Sequence, residues 1–201
     1  RFPNEKNGKI FSITDKEFPV IFGDGKTDLK NLIKSHKRFK FQKDTYYQYL
    51  GDKVNSIPKE GVKIPLGFAG NHFQGCLFKD GKDLISEELE KEIDRISKHF
   101  KGFYFGRYDI RYETKEDLLK GINFKIVELN GAASESTNLY DPNFNIFQSY
   151  KILFSQWKIL FKIGYLNYKK GENITSWKEF FGTIFKHFEY KDEVNLFTKE
   201  S

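Results

Sequence analysis

The hydrophobic residues change their spacing several times along the chain, and each spacing predicts a different kind of element. Over several short segments they alternate with polar residues, which is typical of half-buried strands. Elsewhere they recur every three or four residues, as on the buried face of a helix. We predict strands over residues 9–14, 19–22, 62–68, 103–113 and 123–129, and a hairpin that pairs 74–78 with 84–85 across an Asp-Gly turn.

Helices are predicted where the longer spacing coincides with residues that begin or end a helix. Thr27 is the expected N-cap of the first helix, and Ser86 is the expected N-cap of the clearest one, which carries glutamates in its first turn. Further helices are predicted over residues 43–50, 115–120, 144–169 and 176–190.

This order of elements mixes hairpins with helices, which is typical of an α+β domain. We therefore expect a mainly antiparallel sheet flanked by helices and not a doubly wound parallel sheet. Residues 1–142 are expected to form the domain, and residues 143–201 a helical extension packed on it.

The composition favours anionic partners but does not identify one. The net charge is +6 and the isoelectric point is near 9.1. Because lysines are interleaved with acidic residues in most segments, much of this charge is expected to be solvated surface. The chain begins at Arg1 and contains no methionine, so we expect it to be a piece of a longer protein.

The number of cysteines and the length of the apolar runs indicate the cellular compartment. Cys76 is the single cysteine, which excludes an internal disulfide and fits a reducing environment. No run of eighteen uncharged apolar residues is present, so no membrane span is expected. We expect a cytoplasmic protein.

The strongest chemical signal is a set of three oxygen ligands on two neighbouring strands. Asp109 lies in the strand over 103–113, and Glu128 and Asn130 lie two residues apart at the end of the next strand. Residues i and i+2 of a strand project from the same face. One or two carboxylates and an amide suit Mg²⁺ bound together with phosphate oxygens. The alternative is that all three are solvated residues at strand ends.

These residues also carry a resemblance to a known family. Arg107-x-Asp109-x-Arg111 followed by Val-Glu128-Leu-Asn130-Gly resembles the Arg-x-Asp and Glu-x-Asn signatures of the ATP-grasp ligases. A Gly-Asp-Gly turn at residues 23–25 and a glycine-bounded loop at residues 70–75 are similar to family segments and occur in the same order. The resemblance covers residues 1 to about 142 and implies the C-terminal part of an ATP-grasp domain, without its upstream nucleotide lobe.

The resemblance implies an enzyme that joins a carboxylate to an amine through an acyl phosphate, with ATP and Mg²⁺, or Mn²⁺, as cofactors. Asp109, Glu128 and Asn130 would hold the metal. The catalytic arginines would be Arg107, near the transferred phosphate, and Arg111, near a substrate carboxylate. The loop residues expected to line the nucleotide site, with Arg107, are Asn71 and His72, and those expected to bind the acceptor substrate are Ser134, Ser136 and Thr137.

Two further alternatives stay open. The chain could instead be a basic, non-catalytic module that holds nucleic acid or a membrane surface, although a ligase is expected to have no specific nucleic-acid partner. The aromatic stripe of the 144–169 helix fits core packing against a sheet, and with its lysines it also fits peripheral membrane contact or a homo-oligomer.

Overall fold

The computed structural model describes residues 1–68, 70–71 and 74–197. Its elements are six strands and six helices with short 3-10 turns between them. The strands are β1 (Thr14–Glu17), β2 (Val20–Phe22), β3 (Lys63–Pro65), β4 (Leu77–Asp80), β5 (Arg107–Tyr112) and β6 (Phe124–Asn130). The helices are α1 (Leu29–Ser35), α2 (Lys43–Leu50), α3 (Glu87–Ser97), α4 (Lys115–Leu119), α5 (Ile146–Lys169) and α6 (Trp177–Phe197).

The predicted α+β class is confirmed, and the strands form three antiparallel pairs within the described part of the chain. β1 pairs with β4, β2 with β3, and β5 with β6. The first two pairs join segments that are far apart in sequence, whereas β5 and β6 are separated only by α4. The described residues include no helix that is long and apolar enough to cross a membrane.

Two hydrophobic clusters hold the β2–β3 and β5–β6 pairs in place. In the first, α1 and α2 pack on β2 and the segment after β3; its buried members are Ile21, Leu29, Ile33, Phe39, Tyr46 and Leu66. In the second, α3 and α4 pack against β5 and β6; its buried members are Leu84, Leu89 and Leu118. The second cluster lies directly beneath the strands that carry the candidate metal ligands.

The predicted hairpin of residues 74–78 with 84–85 is wrong. β4 takes β1 as its partner, and the segment Lys82–Leu84 forms a 3-10 turn. Gly81 does break the strand, but its N–H donates to the carbonyl of Ile13, 2.8 Å away, and so continues the β1–β4 contact. The Asp-Gly sequence correctly indicated the end of β4, but it could not indicate that the partner strand is β1, far upstream.

The first predicted strand and the first predicted cap are each displaced. β1 begins at Thr14, because Ile10 and Ile13 of the preceding segment pack on the second cluster and do not pair as a strand. The N-cap of α1 is Asp28, whose side chain accepts from the N–H of Asn31 at 2.7 Å. Thr27 turns its hydroxyl away to donate to Asp24.

The stripe along α5 does not pack on a sheet, contrary to the core-packing interpretation. Its two most prominent rings, Phe147 and Phe161, are 82% and 78% exposed. The buried side chains of the helix are Gln156 and Ile163, which lie on the opposite side. The helix therefore contacts the body through its less aromatic face.

Candidate functional site

The β5–β6 pair brings the predicted metal ligands onto one face of a two-stranded sheet. Asp109 lies opposite Glu128, and Arg107 lies opposite Asn130. Directly opposed residues of an antiparallel pair project from the same side, with Cβ atoms about 4.5–5.5 Å apart. Two carboxylates, an amide and a guanidinium therefore share one patch of the sheet.

A β-bulge next to Asp109 allows β6 to place Glu128 beside Asp109 while Phe124 still packs on the second cluster. The register passes from Asp109–Glu128 to Ile110–Ile126, so Val127 has no partner opposite it. In a regular strand, Ile126 and Glu128 would share a face. The extra residue lets Ile126 lie beside Ile110, which packs on the second cluster, while Glu128 lies beside Asp109 on the opposite face. The two consecutive apolar residues Ile126-Val127 were the sequence signal for this break in alternation.

The alternating spacing over residues 123–129 is typical of a half-buried strand, but β6 is largely exposed. Val127 is 62% exposed, and Glu128 is also exposed. The reason is that β6 pairs with β5 alone among the described residues, so its other edge is not covered by a third strand. Because Glu128 is exposed to water, burial does not require it to bind a metal. Its position opposite Asp109 is what supports a metal site.

Asp109 is held between two cations. Its Oδ2 lies 2.8 Å from the Lys16 Nζ and its Oδ1 lies 3.0 Å from the Arg107 Nε. Burial raises the pKa of this carboxyl group, but the hydrogen bond and charge of Lys16, together with those of Arg107, outweigh burial and hold the pKa below its ordinary value. Asp109 is therefore an anion that is already surrounded by donors.

Lys16 is the functional residue that the sequence analysis missed. It lies in β1, opposite Phe78 of β4, and its ammonium also stands 5.6 Å from the centre of the Phe78 ring. Its side chain is 30% exposed, so the charge is partly shielded from water. No local motif marks Lys16, because it reaches Asp109 only through strand pairing between distant segments.

The loop after β6 is fastened to three other parts of the chain. The Ser136 hydroxyl accepts from that of Ser12 at 3.1 Å, and the Thr137 hydroxyl lies 2.9 Å from that of Thr14. Gln156 of α5 binds the loop backbone on both sides of Glu135. These contacts orient the hydroxyl groups of Ser136 and Thr137 beside β1, whereas the Ser134 hydroxyl donates to the carbonyl of Gly131.

A single cavity of about 1070 Å³ joins these groups. Its size is sufficient for a small molecule or a nucleotide. Its wall contains most of the residues that the sequence predicted, together with Lys16; the predicted residues are Asn71, Arg107, Asp109, Arg111, Glu128, Ser134, Ser136 and Thr137. Asn130 is not part of this wall, although it lies opposite Arg107, and His72 lies outside the described residues.

The individual side chains differ in how freely they could contact a ligand. The Asn71 Oδ1 accepts from the N–H of Gln74 at 2.9 Å, so it supports its own loop. Arg111 is exposed on β5, beyond the bulge. The Asn130 Nδ2 is buried and has no hydrogen-bond partner among the described residues.

The donor set fits a metal ion only in part. In the part of the chain that the structure describes, no group of three or more His, Cys, Asp or Glu side chains could hold a metal. The available protein ligands are the carboxylates of Asp109 and Glu128 and the amide of Asn130. This set matches the way Mg²⁺ binds through one or two carboxylates and the oxygens of a phosphorylated ligand, and it does not match a cage built from protein alone.

Comparison with known proteins gives no relative to extend this description. No protein-family model, no curated protein and no solved structure matches the chain.

Proposed function

We propose that the chain is the metal-binding, C-terminal part of an ATP-grasp ligase that joins a carboxylate to an amine at the expense of ATP. The observation that carries this proposal is the Asp109–Glu128 pair at the wall of a cavity that also holds Lys16 and Arg107. Asn130 lies on the same face of the sheet. Under this proposal, residues 1–142 belong to the ATP-grasp domain and residues 143–201 are an extension of it.

The residues support a division of labour around a phosphorylated ligand. Asp109, Glu128 and Asn130 would hold Mg²⁺ or Mn²⁺, which supplies charge neutralisation for phosphoryl transfer when it is bound with ATP. Arg107 donates from Nε to Asp109 and from Nη1 to the Glu135 carbonyl, and it can bind a phosphate oxygen through its remaining N–H groups. Lys16 keeps Asp109 ionised and adds positive charge to the same wall.

The loop beyond β6 would position the acceptor. Ser134, Ser136 and Thr137 lie beside the cavity and offer hydroxyl groups to a polar substrate. Arg111 offers a guanidinium for a substrate carboxylate at the outer part of β5. The chemistry needs charge neutralisation and positioning more than a protein nucleophile, and the buried Cys76 has no part in it.

Nucleotide-dependent metal binding tests this proposal. Electron paramagnetic resonance of Mn²⁺ should show binding to the 201-residue chain that increases when ATP is added, because the protein supplies only part of the coordination shell. Asp109→Asn and Glu128→Gln should each reduce Mn²⁺ binding by roughly tenfold or more, which corresponds to at least about 1.4 kcal/mol. Asp52→Asn and Glu60→Gln, which replace exposed carboxylates away from the cavity, are the matched controls.

Unchanged Mn²⁺ binding would contradict the proposed metal site. If Mn²⁺ binding in the presence of ATP is the same in wild type, Asp109→Asn and Glu128→Gln, these carboxylates are not metal ligands. Under the proposal, amine-dependent release of ADP by a ligase that contains this chain then tests the reaction itself, with the same four variants.

A further inference from the structure

The long helix α5 presents an unusual exposed surface. We define its aromatic face as Phe147, Tyr150, Phe154, Trp157, Phe161, Tyr165 and Tyr168, all between 46% and 82% exposed. Because these residues follow one another at intervals of three or four, they lie along one side of the helix. The buried residues Gln156 and Ile163 occupy the other side. The aliphatic side of this helix thus meets the body, and its aromatic side points away from it.

Basic residues border the aromatic face along its whole length. Lys151, Lys158, Lys162 and Lys169 are all exposed, and each follows an aromatic residue by one or four positions. At 100° per residue they form a single row beside the rings. The segment Ile146–Lys169 contains no aspartate or glutamate. The helix therefore combines apolar area with uncompensated positive charge.

The helix is also rigid and firmly attached, so this surface has a fixed position. Asn145 and Gln148 form a capping box at its start, which gives hydrogen-bond partners to two backbone N–H groups and so limits fraying of the helix end. Ser149 donates to the carbonyl of Leu139 at 2.7 Å, and Gln156 binds the loop at Ser134 and Ser136. With 24 residues, α5 is about 36 Å long.

The charge pattern selects among the surfaces that could cover this face. Pairing with a second copy through the aromatic face would bring two lysine rows together without any carboxylate on either helix, which is unfavourable. A nucleic acid would match the charge, but the three rings at the centre of the face contact each other and do not stand apart as platforms for bases. Phe154 has its ring centre 6.1 Å from that of Tyr150 and 6.0 Å from that of Trp157.

We propose that the aromatic face of α5, with its bordering lysines, docks the protein on an anionic lipid surface. A helix that lies in the membrane interface buries aromatic and apolar side chains among the lipids while lysines meet the headgroups. Tyrosine and tryptophan suit this boundary, since each has an apolar ring and a polar atom. This inference is independent of the proposed ligase reaction.

Binding to vesicles of defined composition tests the proposal with the whole chain. At low salt the protein should co-sediment with vesicles of phosphatidylcholine and phosphatidylglycerol in equal parts and not with phosphatidylcholine alone. In a Trp177→Phe variant, Trp157 is the only tryptophan, so its emission should shift to shorter wavelength and be quenched by brominated lipid when anionic vesicles are added.

Paired variants separate the two components of binding. Phe147→Ser with Phe161→Ser should weaken partition into anionic vesicles by about a hundredfold, whereas Phe22→Ser with Phe41→Ser should have little effect. Lys151→Gln with Lys158→Gln should weaken it by about thirtyfold at low salt. The control for charge is Lys34→Gln with Lys101→Gln, which removes two exposed lysines away from α5.

Several results would overturn the proposal. These are no co-sedimentation with anionic vesicles, equal binding to both lipid compositions, and equal losses in the α5 variants and their controls. A dimer detected by light scattering that dissociates in the Phe147→Ser, Phe161→Ser variant would also overturn it, because a second copy would then cover the face. Binding of an oligonucleotide with this dependence, in the absence of vesicle binding, would do the same.

Discussion

Replacing Gln156 should loosen the loop that borders the cavity. The side chain is 2% exposed and joins α5 to the loop by two hydrogen bonds. Its Oε1 accepts from the N–H of Ser136 at 2.7 Å, and its Nε2 donates to the carbonyl of Ser134 at 2.8 Å. Gln156→Leu retains the approximate volume but removes both bonds, so two backbone groups lose their partners.

The expected cost follows from the exposure of those groups. Leaving a buried donor or acceptor without a partner costs about 1–3 kcal/mol. Ser134 and Ser136 are half-buried, so water can reach part of the freed backbone and reduce the cost. We therefore expect the free energy of unfolding of Gln156→Leu to be lower than that of wild type by about 2–3 kcal/mol.

Gln156→Glu gives a second and more specific comparison. A carboxylate can still accept from the Ser136 N–H, but it cannot donate to the Ser134 carbonyl and it brings negative charge beside that oxygen. The variant should be destabilised at neutral pH and partly recover in acid, because a protonated carboxyl group regains one donor. Gln156→Leu has no such group and should show no corresponding recovery.

Urea unfolding followed by circular dichroism measures these differences, with Gln48→Leu as the control for an exposed glutamine in a helix. Amide exchange of Ser136 should increase in both Gln156 variants. The reasoning is refuted if Gln156→Leu unfolds within about 0.5 kcal/mol of the Gln48→Leu control, which is the range of ordinary surface substitutions.

Two further predictions concern other contacts of the fold. Gly75 has a φ of +76°, and a β-carbon there would collide with the buried Tyr46 hydroxyl, whereas Gly61 has the same φ with open space around it. Gly75→Ala should therefore cost about 2 kcal/mol more than Gly61→Ala in urea unfolding, and equal losses would contradict the collision. Burial raises the pKa of Asp94, but its hydrogen bond with Lys98 contributes to the opposing interactions that hold it below the ordinary value. A carboxyl group whose pKa is lower in the folded state stabilises the protein at pH values above its unfolded-state pKa. The free energy of unfolding of wild type should therefore exceed that of Asp94→Asn by about 1 kcal/mol at neutral pH, and this difference should shrink as the pH falls below about 4. A difference that stays constant into acid would exclude this linkage.

The elements that depend on neighbouring residues could be predicted well from the sequence. Ser86 caps α3 as expected, accepting from the N–H of Leu89. The predicted 144–169 helix differs from α5 by two residues at its start, because Asn145 is the N-cap. Helix spacing and capping are local properties, so the chain within a few residues determines them.

The elements that depend on distant residues could not be predicted in this way. The partner of β4 and the arrival of Lys16 beside Asp109 both depend on pairing with β1. Alternation correctly indicated that Glu128 and Asn130 share a face, but it could not show that a bulge turns this half of β6 away from the core. The aromatic spacing of α5 was recognised, although spacing alone does not tell which side of a helix meets the body.

The separate strand pairs also imply that the two halves of the site form at different entropic cost. β5, α4 and β6 follow one another directly, so the opposition of Asp109 and Glu128 requires only a short loop to close. The contact of Lys16 with Asp109 depends on β1, which pairs with β4 and so closes a loop from residues 14–17 to residues 77–80. Because closure entropy grows with loop length, the acidic pair is the more local unit, and its compensating cation is added by the long-range topology.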